Sequence, residues 1–164
     1  MIFLVVPVLV ALVAGIGLRL GMEKSDDDAA EWHVDPLTSD NPTTPNWYRM
    51  VPADSAVERH AERDAHPPTF EVSAAELGAA FDAVATADDD VEVLAGSAGD
   101  GFVTYVQRSK LFKFPDYVSV RFIDLPAGGS TLGIFSRARY GQKDFDVNEK
   151  RVMRWVDETQ RRLG

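Results

Sequence analysis

The sequence contains no cysteine in its 164 residues and only three histidines. Without a thiol the chain can form no disulfide, thiolate zinc site, iron–sulfur cluster, thiol nucleophile or lipoprotein linkage. His33, His60 and His66 all precede Ser97. The stretch Ala95–Gly99 resembles a serine nucleophile elbow, but such an elbow needs a later histidine. We therefore assign no catalytic residue and predict no metal and no cofactor.

Basic residues are scarce in the first part of the chain. Residues 1–100 hold 5 Lys/Arg against 19 Asp/Glu, whereas residues 101–164 hold 12 against 7. The acidic part would repel phosphates, so we predict no nucleic-acid partner. The basic carboxyl-terminal part suits a small anion or an acidic protein partner.

Charge is absent from Met1–Leu18, which is almost wholly apolar. A helix of that length measures about 27 Å, close to the thickness of a membrane core. We predict a single-pass anchor over residues 1–22 in the cell (inner) membrane, which would be a membrane partner of the chain. A cleaved secretory signal is the alternative, although no basic residue precedes Arg19. Arg19 and Lys24 favour a cytoplasmic side for the rest of the chain, and the opposite side stays open.

Residues 23–68 show no sustained periodic spacing of apolar residues and hold six of the nine prolines. This acidic segment is predicted to be a tether. It also carries Trp32, Trp47 and Tyr48, so we expect it to pack partly on the domain. The predicted organisation is an anchor over 1–22, a tether over 23–68 and a folded domain over 69–164.

The predicted domain contains segments with the apolar spacing of helices, every three to four residues, and segments with the two-residue alternation of strands. Ser73 and Glu76 form a capping box before a helical apolar stripe that reaches about residue 87. A second amphipathic helix follows from about Val147 to Arg162. The predicted strands cover Thr69–Val72, Val91–Leu94, Phe102–Arg108, Tyr117–Leu125 and Ser130–Arg137. We predict an α+β fold: an antiparallel sheet of four to five strands with two helices on one face, preceded by an N-terminal transmembrane helix.

The densest candidate site is an arginine-rich corner between the last strands and the last helix. Arg137 and Arg139 are two residues apart, so on a strand they point to the same side. Guanidinium groups suit anions, as does the amino terminus of the last helix. The candidate anion ligands are Arg108, Arg121, Arg137, Arg139 and Arg151, and the predicted structural supports are Asp116, Asp144 and Asn148. Structural pairing of the arginines with Asp116 and Asp144 stays open as the alternative.

The same region resembles a known family. The motifs are Tyr105–Ser109, Phe114–Tyr117, Ser119–Arg121, Ser136–Gly141, Asp144–Asn148 and Lys150–Arg151, with Pro45–Asn46 upstream. Together they resemble the domain-of-unknown-function 1499 family over residues 45–163. The resemblance implies a small bacterial or plastid domain, often exported or membrane-attached, without an established activity or catalytic residues. The chain departs from the family pattern at Ala138, Lys143 and Asp146.

These observations predict a membrane-anchored binding or scaffolding module. Its arginine-rich corner would take an anionic ligand or an acidic partner. The alternative is a hydrolase or other enzyme that acts on an anionic small molecule, with Asp116 or Asp144 as the base. A deep pocket that holds such a carboxylate beside unpaired arginines would favour the enzyme.

Overall fold

The computed structural model of the chain describes residues 13–18, 20–22, 27–141 and 146–164. Within these ranges, helix α1 is a single turn and the two longer helices flank a run of four strands. The elements in chain order are α1 (Ala29–Trp32), β1 (Trp47–Met50), β2 (Asp64–Ala65), α2 (Ala74–Ala85), β3 (Val91–Ser97), β4 (Phe102–Arg108), β5 (Pro115–Asp124), β6 (Ser130–Ala138) and α3 (Val147–Leu163).

Local chemistry explains where the main elements begin and turn. The Ser73 hydroxyl accepts a hydrogen bond from the Glu76 amide, and the Glu76 carboxylate accepts one from the Ser73 amide. This reciprocal cap starts α2. The turn between β5 and β6 ends at Gly129, whose φ is +75°. A Cβ there would lie 2.3 Å from the Phe70 carbonyl oxygen, so only glycine fits.

The strands form one six-stranded mixed sheet in the order β2-β1-β6-β5-β4-β3. Strands β3 to β6 make an antiparallel meander, β1 pairs antiparallel with β6, and β2 pairs parallel with β1. This corrects the predicted fold class, which had four to five strands, all antiparallel. Residues 47–50 and 64–65, predicted as parts of a tether, add two strands. Residue Phe70, predicted within a strand, makes one isolated bridge to Ser130.

The hydrophobic core lies between the sheet and helices α2 and α3. Leu77 and Phe81 of α2 and Trp155 of α3 are fully buried against strand residues such as Val118 and Val120. The ring of Phe81 meets that of Trp155 at 5.9 Å in an edge contact. Alternate residues of each strand point away from this core. The opposite sheet face therefore needs another cover.

The predicted transmembrane anchor over residues 1–22 is contradicted. In the described ranges, no helix combines the length and the apolar character that crossing a membrane requires. The single-pass inner-membrane localisation rested on this anchor and is corrected with it. Residues 1–12 and 19, on which much of the prediction falls, lie outside the described residues.

Candidate functional site

Four of the five predicted arginines lie on the sheet face opposite α2 and α3. Along β5, Val118 and Val120 enter the core, while Ser119 and Arg121 alternate to the other side. The arginines of this second face are Arg108 on β4, Arg121 on β5, Arg137 on β6, Arg139 directly after β6, and Arg49 on β1, which the sequence analysis did not single out. We call this surface the arginine face.

An irregular acidic segment, residues 27–41, lies across the arginine face, and we call it the strap. Asp27 pairs with Arg108, and Asp35 pairs with Arg121 at 2.7 Å. All four of these side chains are partly shielded from water. Shielding strengthens a charge-assisted hydrogen bond relative to one in open solvent. The strap therefore supplies carboxylates at two separate points of the face.

Aromatic rings of the strap stack on rings of the sheet. The Trp32 ring lies 4.0 Å from that of Tyr117 with an interplanar angle of 15°. The His33 ring lies 3.9 Å from that of Phe102 at 18°. Arg137 and Arg139 both approach the Trp32 ring, with guanidinium carbons 5.5 and 6.0 Å from its centre. Stacking and cation–π contacts thus hold the middle of the strap.

Arg137 is buried on this face without a carboxylate partner among the described residues. Its Nη2 donates to the Trp32 carbonyl oxygen at 2.7 Å and to the Ser119 hydroxyl at 3.1 Å. Its Nε is buried and has no hydrogen-bond partner. Burial, and then the neighbouring charge of Arg49, lower the pKa of Arg137 to about 10. The guanidinium therefore remains charged at neutral pH in an incompletely satisfied environment.

Arg49 is fully buried and similarly short of partners. Its Nη2 donates to the Ser39 carbonyl at 3.1 Å and to the Asp40 carbonyl at 3.3 Å, while Nε and Nη1 have no partner. Burial lowers the pKa of Arg49 to about 10, against an opposing influence of Asp64. Asp64 is its register neighbour on β2. The guanidinium carbon lies 3.8 Å from the ring centre of Phe135.

Tyr117 connects the strap carboxylate Asp27 to Arg139 of the arginine face. Its hydroxyl donates to the Asp27 carboxylate at 2.6 Å and accepts from Arg139 Nη1 at 3.4 Å. Burial, followed by the hydrogen bond to Asp27, raises the pKa of Tyr117 far above its usual value. The hydroxyl is thus a fixed donor to the carboxylate at any physiological pH.

A chain of polar contacts runs from the strap to Arg137. His33 Nδ1 bonds the Thr104 hydroxyl at 2.8 Å, and that hydroxyl bonds the Ser119 hydroxyl at 2.9 Å. Ser119 in turn accepts from Arg137. Burial, and then the charge of Arg121, lower the pKa of His33. The docked strap therefore favours a neutral imidazole.

The fifth predicted arginine, Arg151, belongs to α3 and lies on the sheet face that α2 and α3 cover, which we call the helical face. It donates to Asp116 and Gln107 at 2.5 Å each, to Ser136 at 2.8 Å and to Asn148 at 2.9 Å. The predicted supports Asp116 and Asn148 thus serve Arg151, while the predicted support Asp144 lies outside the described residues. The structure divides the predicted corner between two faces of the sheet.

Sequence reasoning missed Arg49 and the role of the strap. Residues 47–51 are a short apolar run interrupted by Arg49, and every second residue of a strand, here Trp47, Arg49 and Val51, lies on one face. The surrounding prolines concealed that pattern. The contacts of Trp32 and His33 with the sheet join residues about 70 to 105 positions apart, so no local spacing indicates them.

The arginine face carries polar and aromatic groups that are able to contact an anion. It combines guanidinium donors, flat rings and two hydroxyls, which suit carboxylates and other anions. Within the part of the chain that the structure describes, no three His, Asp or Glu side chains group closely enough to hold a metal ion.

The family described as "Protein of unknown function (DUF1499)" matches residues 37–158, well over half of the sequence. The chain belongs to the DUF1499 family. This confirms the resemblance found in the sequence. Comparison with curated proteins finds no match. All five arginines of the arginine face fall inside the part that matches DUF1499, whereas strap residues 27–36 fall outside it.

Proposed function

We propose that this DUF1499 protein is a binding module whose arginine face takes an anionic ligand or an acidic segment of a partner protein. The observation that carries the proposal is the excess of guanidinium groups beneath the strap. Arg108 and Arg121 form ion pairs with carboxylates of the strap. Arg137 and Arg49 instead donate hydrogen bonds to backbone carbonyl oxygens of the strap. A buried guanidinium is stabilised more by a carboxylate or phosphate than by a neutral carbonyl.

Arg151 is not part of this proposed site. Four polar side chains surround its guanidinium, so its role is to join α3 to the sheet. The enzyme alternative used Asp116 or Asp144 as a base. Asp116 accepts from the buried Arg151, which makes it a counter-charge, and no observation favours catalysis at this position.

Hexaglutamate and inorganic phosphate are suitable probes for the proposed site. We expect hexaglutamate to bind the full chain at low ionic strength and to weaken steeply as salt is added. Arg121→Gln and Arg139→Gln should each raise its Kd by about three- to tenfold. Both side chains are only partly buried, so a probe can reach them while the strap is docked. Titration calorimetry measures the Kd of hexaglutamate for the unaltered chain and for each variant.

Arg161→Gln is the matched control because Arg161 is exposed on α3. It removes the same charge and should leave the Kd unchanged. Binding of phosphate with equal dependence on Arg121 and Arg139 would indicate a small-anion site. The proposal fails if neither probe binds, or if Arg161→Gln weakens binding as much as the variants of the arginine face.

A further inference from the structure

The strap contacts the arginine face as a peptide ligand would. Its residues 27–36 hold one short turn of helix and are otherwise irregular. Carboxylates at Asp27 and Asp35 pair with two arginines of the face, and Trp32 stacks between those two points. Peptide-binding surfaces commonly combine charged ends with a central aromatic anchor.

The family match separates this segment from the surface it covers. The arginines, together with Tyr117 and Phe102, lie inside residues 37–158. The strap residues Asp27, Trp32 and Asp35 precede residue 37, whereas the strap contacts of Arg49 come from within the matched part. The arginine face thus belongs to the DUF1499 domain itself. Residues 27–36 lie outside the matched part and cover this face.

The fit of the strap is incomplete. Arg137 Nε remains buried without a hydrogen-bond partner while residues 27–36 are docked. Unsatisfied buried donors disfavour the closed state. A ligand with better-placed acceptors could therefore compete with the strap, although the strap has the advantage of being tethered.

We propose that residues 27–36 are an intramolecular pseudo-ligand, and that the arginine face binds in trans an acidic peptide segment of a partner protein. The segment would carry an aromatic residue between two carboxylates that lie eight residues apart, as Asp27 and Asp35 do. This inference rests on the proposed function and specifies the ligand of the same site. The strap then sets the threshold for binding, because the partner must displace it.

The test uses a fluorescently labelled peptide with the sequence of residues 27–36 and the full-length chain. Asp27→Asn combined with Asp35→Asn weakens the strap of the chain without altering the face. We expect this double variant to bind the peptide at least about tenfold more tightly than the unaltered chain, because the tethered competitor is weakened. Fluorescence anisotropy gives the Kd.

Two controls isolate the effect. Asp54→Asn combined with Asp157→Asn makes the same charge change at exposed positions, and this chain should bind like the unaltered one. A peptide that carries Trp32→Ala should bind the strap-weakened chain at least about fivefold less tightly, since it lacks the stacking anchor. If the double variant does not fold, as judged by circular dichroism, Asp35→Asn alone gives the same comparison with a smaller gain.

The outcomes distinguish this inference from the proposed function. The pseudo-ligand inference is overturned if the strap peptide binds no better than its Trp32→Ala form, or if weakening the strap brings no gain. In that case hexaglutamate binding that depends on Arg121 and Arg139 would still support the proposed function. If the strap peptide, hexaglutamate and phosphate all fail to bind, both proposals fail.

Discussion

Helices α2 and α3 close one face of the sheet and the strap closes the other, and the two covers use different chemistry. The helical face buries apolar residues such as Leu77, Phe81 and Trp155. The arginine face buries guanidinium groups under a segment with little regular structure. Because side chains alternate along each strand, one sheet presents both surfaces. Apolar packing and buried guanidinium groups thus lie on opposite sides of the same strands.

The two faces also differ in how completely their buried arginines are hydrogen-bonded. Arg151 on the helical face bonds four side chains, including the Asp116 carboxylate. Arg49 and Arg137 on the arginine face keep donors without partners. A fully matched guanidinium contributes to fixing the fold, whereas an incompletely matched one keeps capacity for a ligand. The difference in matching, more than burial, separates structural from candidate binding arginines.

The largest effect is expected from the helical face. Phe81→Ala should lower the free energy of unfolding by about 3–5 kcal/mol, because Phe81 is fully buried and the truncation leaves a cavity. Urea unfolding followed by circular dichroism measures the loss. Phe112→Ala, in a partly buried loop position, is the control and should cost much less. A loss below about 1 kcal/mol at Phe81 would mean that the helical face does not dominate stability.

A smaller, local effect is expected on the arginine face. Trp32→Ala removes one ring stack and contacts with two guanidinium groups, worth about 1–2 kcal/mol together. That energy should appear as opening of the strap rather than of the core. Cleavage after the exposed Glu31 by a glutamate-specific protease should accelerate about tenfold while the urea midpoint changes little.

Leu111→Ala, at an exposed loop position, should change neither the cleavage rate nor the midpoint. Equal losses in global stability for Trp32→Ala and Phe81→Ala would erase the distinction between the two faces, because the strap would then be part of the cooperative core.

Much of the meander and both longer helices follow from local patterns. The capping box at Ser73 starts α2, and the four strands predicted between residues 91 and 137 correspond to β3–β6. Residues Val118 and Val120 alternate with Ser119 and Arg121 as a two-faced strand requires. The spacing of apolar residues and the helix caps depend only on neighbouring residues, so they can be read from the sequence.

The candidate site could be predicted only in part from such local patterns. Arg137 and Arg139 do share one side, since both approach the Trp32 ring. Arg151 was grouped with them because a helix position does not reveal which sheet face the helix covers. Strand β1 has four residues in a proline-rich stretch, too few for periodicity to identify it. Contacts of the strap depend on tertiary structure and have no local signature.

The smallest expected effect is a pH dependence of strap docking through His33. Burial against Phe102, and then the charge of Arg121, lower the pKa of His33 in the docked state. A released His33 titrates near its ordinary value of about 6.5. Docking is therefore strongest above that pH and weakens as the pH falls through it toward the lower docked pKa, because the released strap takes up a proton first.

Cleavage after Glu31 measures this dependence when each rate is divided by that of His33→Phe at the same pH, which cancels the pH response of the protease. The phenylalanine can still stack on Phe102 but does not titrate. We expect the ratio to rise as the pH drops from 7.5 to about 5.5. The exposed His66→Gln should keep the same profile as the unaltered chain. A flat ratio would show that the imidazole is solvated in the docked strap, which would place the strap's hold on the arginine face in Trp32 and the two ion pairs alone.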